Sequence, residues 1–144
     1  MNSTYSIRVN DTPDPQDVNL VRQGLYEYNC TFAPDGGFRP LTIFLRDSDG
    51  KLVGGLLGGT YWGWLHVDIL WLDESVRRQG YGQQMMAMAE QEALQRGCHH
   101  AHLDTMSFQA RGFYEKLGYE VFGVLDDLPK GHSRIFLKKE LQPA

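Results

Sequence analysis

The chain of 144 residues carries 14 basic and 18 acidic side chains, a formal charge of −4, with 42% hydrophobic and 22% charged residues. This is ordinary globular usage, enough for a single domain over 1–144 that buries roughly two thirds of its unfolded surface, and it excludes a disordered tail or a fibre. The acidic balance argues against a nucleic-acid or anionic-membrane partner and permits a cationic one.

The N-terminal MNSTYSIRVN lacks the apolar run of a signal peptide, and no segment approaches the ~18 apolar residues of a membrane span. YSIRVN, residues 5–10, reads as a first strand. A helix over 14–30 follows, with Val18, Val21, Leu25 and Tyr28 at helical spacing and Asp14 and Asp17 near its positive end. TFAPDGGFRP, punctuated by Pro34, Gly36, Gly37 and Pro40, reads as a loop. LTIFLRDSDGKLVGGLLGGT reads as a hairpin about its Asp49-Gly50 turn. In the strand YWGWLHVDILWL, alternation predicts a core face of Leu65, Val67, Ile69 and Trp71, opposite a face of Trp64, His66, Asp68, Leu70 and Leu72. His66 and Asp68 then mark either a cleft or one wet face of an antiparallel sheet.

A helix over 82–96 closes at Gly97, and HAHLDTM forms the next strand. A second helix over 108–117 has Ser107 as its expected N-cap and Gly118 as its stop. Its core stripe is Ala110, Phe113 and Leu117, with Tyr114 turned about 100° away and free to face a ligand. YEVFGVL and HSRIFLKKEL are the last strands, around the loop DDLPKG. Strands alternating with helices after a hairpin imply a mixed sheet with helices on both faces.

VRRQGYGQQ joins a strand to a helix through a glycine-containing turn. Such a turn presents unpaired backbone N–H groups at the positive end of a helix dipole, an anion site. Gly80 and Gly82 permit close approach, and the guanidinium groups of Arg77 and Arg78 match phosphate geometry. The third glycine of a dinucleotide fingerprint and the GK[ST] of a P-loop are both missing.

This segment resembles the acyl-CoA pyrophosphate motif (Q/R)xxGxG/A of the GNAT superfamily of N-acetyltransferases, and FYEKLGYEVFG is similar to that family's FYEKxGF segment. The resemblance spans nearly the whole chain. It implies an α/β (α+β) fold with six to seven strands, in which the long strand and its successor splay apart to admit acetyl-CoA. It implies that Arg77, Arg78, Gln79, Gly80, Tyr81 and Gly82 bind the pyrophosphate and that the backbone of Leu70 and Leu72 pairs with the pantetheine arm. It places Tyr114 on the family's general acid, and a backbone N–H near Leu72 as the carbonyl polariser. Ser107 stands where many members carry a cofactor-contacting Asn.

For direct attack by an amine, His66 is the candidate base, and Asp68 the alternative as the holder of a water or of the ammonium. The expected acceptor is a small-molecule amine, with a protein or peptide amine as an alternative. Phe32, Phe38, Tyr61, Trp62 and Trp64 are available to wall its pocket, and Asp126 and Asp127 to attract a cation. CHHAH, 98–102, groups a thiol with three imidazoles, but no second ligand group has recognisable spacing, so no metal is expected. Cys30 and Cys98 lie outside any CxxC pattern and fit a reducing cytoplasm. Family habit and aromatic content are compatible with a homodimer, though no residue pattern specifies one. The rival readings are an acyl-CoA-binding sensor without catalysis and a metal-dependent hydrolase.

Overall fold

The computed structural model describes residues 4–143, which fall into two compact units, one running to Gly36 and one beginning at Gly37. The first unit carries α1, Pro15–Cys30. Asp14 caps it by accepting a hydrogen bond from the Gln16 N–H, and Pro15 occupies the first turn, where no N–H partner is needed. The expected strand over 5–10 does not form: a strand exists through ladder pairing, and Ile7 and Val9 stay exposed with no ladder.

The second unit is a six-stranded mixed sheet with two helices. In chain order it runs β1 (Arg39–Arg46), β2 (Leu52–Tyr61), β3 (Trp64–Leu72), a single 3-10 turn (Glu74–Val76), α2 (Tyr81–Gln95), β4 (His100–Met106), α3 (Arg111–Lys116), β5 (Glu120–Asp126) and β6 (Ser133–Glu140). Spatially the strands lie β1-β2-β3-β4-β6-β5, and only the β3–β4 pair is parallel. That pair requires a crossover, which α2 supplies. The β1–β2 hairpin turns at Gly50, whose φ of +83° favours glycine.

The core lies between α2 and the sheet: Met85, Met86, Ala89 and Ala93 pack with Leu56, Leu65, Val67, Ala101, Leu103 and Leu137. Small alanines let α2 approach the strands closely, while the methionines fill the remaining irregular space. Gly97 follows α2 with φ +83°, ending the helix where glycine was expected to end it. Among the described residues no helix is long and apolar enough to cross a membrane.

Candidate active site

The site begins with a misfit in the sheet. Gly58 of β2 pairs with Val67, yet Leu57 pairs with Ile69, so Asp68 is the extra residue of a β-bulge. A bulge bends its strand and sharpens its twist. Beyond it β3 leaves its parallel neighbour: the β3–β4 ladder runs only from Trp64↔His100 to Val67↔Leu103, while β4 continues along β6 to Met106↔Arg134. The strands diverge and a slot of about 560 Å³ opens between them. Its walls include Asp68, Leu70 and Leu72 from β3, Asp104 and Thr105 from β4, and Phe113 and Tyr114 from α3. Past Val67 the edge of β3 that faced β4 has no strand partner, and its backbone is left to pair with an extended ligand.

The bulge also corrects the expected facing of β3. Leu65 and Val67 are buried, but Ile69 and Trp71 are 49% and 48% exposed, and Leu70 and Leu72 pack against the core instead. One extra residue at Asp68 shifts the two-residue alternation by one, which reverses every side chain after it.

After β3 the chain makes the 3-10 turn and a tight bend into α2. The Arg77 Nε donates to the Leu72 carbonyl at 2.9 Å, and the Gln79 side-chain amide donates to the Ser75 carbonyl at 3.2 Å. Arg78 and Gly80 both adopt positive φ, +64° and +85°. No side chain caps α2, so its first N–H groups stay open as donors beside the slot. Of the predicted turn residues, Arg77 and Gly82 line the slot, whereas Arg78, Gln79, Gly80 and Tyr81 shape the bend and do not line it. Gly82 is there for space: a Cβ would meet the Phe113 ring at 3.3 Å.

Tyr114 is more buried than its position off the core stripe suggested, 7% exposed, because its ring joins the core cluster, edge-on to Phe113 and Tyr119. Burial, and secondarily the Asp104 carboxylate, push its phenol up to about 12. Its backbone is anchored by the Tyr119 N–H at 3.1 Å. Tyr119 is in turn held by Glu90 of α2, which accepts from the Tyr119 hydroxyl at 2.9 Å and from Lys139 Nζ at 2.7 Å. Sequence reasoning missed Asp104, although its place on β4, two residues after His102, was available. The Arg134 Nε donates to Asp104 Oδ1 at 2.9 Å, and Asp104 first, then more weakly Asp68, favour the charged guanidinium.

Ser107 does not cap a helix. α3 starts at Arg111, and its N-cap position, Ala110, offers no side-chain bond. The Ser107 hydroxyl instead accepts from the Ser133 N–H at 3.0 Å, and its own N–H donates to the Ser133 carbonyl at 2.8 Å, tying the end of β4 to the start of β6. The Gln109 Oε1 closes the loop between β4 and α3, accepting from the Met106 N–H at 2.7 Å.

His66 is absent from the lining of the slot. It points to the face opposite Leu65 and Val67 and stacks on His102 with ring centroids 4.6 Å apart. Trp64 stacks likewise on His100 at 4.7 Å. The imidazoles of the CHHAH segment are thus partly spent on ring contacts, and among the described residues no three His, Cys, Asp or Glu side chains group as metal ligands. Burial, then His66, hold the His102 imidazole below its ordinary range.

Comparison with known proteins places this arrangement. Residues 2–119 match the family model of the acetyltransferase (GNAT) family. The chain is 37% identical over 131 residues, 91% of its own length and 96% of the relative's, to an acetyltransferase of Agrobacterium fabrum. It is 40% identical over 107 residues, 72% of its length and 79% of the relative's, to blasticidin-S acetyltransferase of Streptomyces morookaense. A crystal structure of an acetyltransferase from Bacillus cereus superposes with a TM-score of 0.86 at 35% identity, covering 93% of this chain and 98% of that one.

Proposed function

The chain belongs to the acetyltransferase (GNAT) family and is an acetyl-CoA-dependent N-acetyltransferase, and we propose that its acceptor is a primary amine of a small molecule. The observation that carries the reading is one slot lined by both Asp68 and Tyr114, a carboxylate for the amine and a protonated phenol for the leaving group. The relative named for acetylating blasticidin S, at 40% identity, supports a small-molecule acceptor.

The donor set fits acetyl-CoA. Arg77, Arg78 and the uncapped N-terminus of α2 are suited to a pyrophosphate, with Gln79, Gly80, Tyr81 and Gly82 shaping the bend. The unpaired edge of β3 at Leu70 and Leu72 is suited to an extended amide arm, and an N–H near Leu72 to the thioester oxygen. Bound there, acetyl-CoA supplies an acetyl group activated as a thioester and leaves as a thiol.

The protein's own contribution is positioning and proton handling. An alkyl ammonium of reference pKa near 10.4 is deprotonated in only about one molecule in a few thousand at pH 7. Asp68, set at the bulge, holds the ammonium and a water that carries its proton away. Of the two base candidates Asp68 is preferred to His66, because Asp68 lines the slot and His66 lies on the stack beyond it. Tyr114, with its phenol near 12, stays protonated at neutral pH and gives its proton to the departing sulfur, whose reference thiol pKa is near 8.5.

The test is thiol release from acetyl-CoA with a panel of small primary amines, run beside a lysine-containing peptide panel. Release with small amines and none with peptides is expected. Release with peptides alone refutes the proposed acceptor class.

A further inference from the structure

Two adjoining hollows on the other face of the sheet, of about 480 and 330 Å³, share Tyr61 and His102. The larger adds Trp62, Trp64, Phe122 and Lys138, and the smaller adds Phe38, Gly59 and His66. Their side-chain lining is five aromatic residues, two imidazoles and one ammonium. Within it the rings are already ordered against one another: Tyr61 and Trp62 are 4.7 Å apart, Trp64 and His102 5.6 Å, and Lys138 Nζ stands 5.9 Å from the Phe122 centroid. Gly59 has no side chain because a Cβ would stand 2.5 Å from the Phe38 ring.

The hollows connect to the chemistry through β4. His102 and Asp104 are two residues apart on the same face of the strand, about 7 Å, and Asp104 lines the slot. Along that path the charge changes character. The slot end carries Asp68 and Asp104, the second already paired with Arg134, whereas the hollows contain no carboxylate.

From this we infer that the acceptor is an arylalkylamine-like molecule: a primary amine on a short arm, directed to Asp68, attached to an uncharged or anionic flat ring that stacks in the hollow walled by Tyr61, Trp62, His66, His102 and Phe122. The inference rests on the acetyl transfer to a small amine proposed above and narrows it. A flat ring gains offset or edge contacts with the wall rings that a saturated ring of the same size lacks. A polyamine fits poorly, because its second ammonium meets the Lys138 ammonium with no carboxylate in the lining to offset it. Burial lowers the His102 pKa and so favours the neutral ring, as suits a stacking surface.

The test compares 2-phenylethylamine, 2-cyclohexylethylamine and 1,4-diaminobutane by kcat/KM in thiol release. The same three amines are titrated into the protein while the NMR ring signals of His66 and His102 are followed. The flat ring is expected to lead both others by about tenfold, to shift both imidazole signals by ring current, and to lose most of its lead in Trp62→Ala and Phe122→Ala. Both substituted side chains are about half exposed, at 44% and 54%, so the variants retain the fold. Equal rates for the flat and saturated rings, a lead for the diamine, or a preference untouched by either substitution overturns the inference. If no amine is acetylated, the proposed acceptor class fails. The hollow is then judged by the titration alone, saturable shifts with the flat ring only upholding it and their absence refuting it.

Discussion

Replacing Gly58 by alanine tests the origin of the slot. Gly58 sits opposite the bulge, and a Cβ built there lies 2.2 Å from the backbone oxygen of His66 and 3.2 Å from the Val67 Cα. Real Cβ atoms essentially never approach within 3.0 Å, so about 0.8 Å must be found by moving one strand against its own ladder. Overpacking of this kind costs about 1–3 kcal/mol, and an obstacle that is backbone carbonyl puts Gly58→Ala near the upper end. At about 3 °C per kcal/mol for a chain of this length, the melting temperature should fall by roughly 6–9 °C. Gly59→Ala is the internal comparison, since its sharpest clash is with the exposed Phe38 ring, which can swing aside, and the Arg39 carbonyl oxygen at 3.1 Å leaves only a smaller backbone conflict, so its loss should be about 1 kcal/mol, less than that of Gly58→Ala. Thermal and urea denaturation of the three proteins, with acetyl-CoA titrated into each, provide the readout. Gly58→Ala melting within 2 °C of the parent, with unchanged cofactor affinity, would refute the idea that an absent side chain at Gly58 permits the bulge.

Other substitutions probe separate links. Gly24 lies inside α1 with nothing within 4 Å of where an alanine Cβ would stand, so Gly24→Ala should raise stability by about 0.5–1 kcal/mol in urea denaturation. Glu90→Ala leaves Lys139 and the Tyr119 hydroxyl without their shared acceptor and should cost about 2–3 kcal/mol by the same measurement. Alkaline pH should destabilise the fold through Tyr114. Its folded pKa of about 12 lies above the reference of 10, so its contribution is complete below pH 10 and is lost as pH rises towards 12. In Tyr114→Phe the stability decline measured between pH 10 and 12 should be shallower. Arg77→Ala should weaken acetyl-CoA binding in calorimetry by roughly tenfold with little loss of stability, because the side chain is an exposed donor beside the slot.

Much of the fold was legible because local chemistry and tertiary structure agree. Asp14 and Pro15 start α1, Asp49-Gly50 turns the hairpin, and Gly97 and Gly118 follow their helices with φ of +83° and +95°. The misses share a cause: each depends on partners distant in sequence. YSIRVN has strand-like composition but no ladder. The bulge at Asp68 is fixed by the pairing of β3 with β2, so alternation read along β3 alone carried its phase unbroken through Trp71. Ser107 has the right chemistry for a cap, yet the chain stays irregular to Ala110 and Ser133 recruits it instead. In the site, Arg77, Gly82, Leu70, Leu72, Asp68 and Tyr114 all line one slot, while the pairing of Asp104 with Arg134 becomes visible only once β6 is laid beside β4. Alternation put His66 and Asp68 on one face of the strand with His66 as the candidate base, whereas Asp68, the bulged residue, lines the slot and His66 does not.

The proposed transfer turns on Tyr114 as the acid for the departing thiol, and steady-state kinetics of Tyr114→Phe test it most directly. The substitution removes one oxygen from a buried ring and leaves the hydrocarbon packing intact. With Tyr114 as the proton donor, kcat should fall by roughly 10²-fold or more while acetyl-CoA affinity holds within about threefold. Turnover equal to the parent enzyme would contradict that role and assign the proton to another donor in the slot.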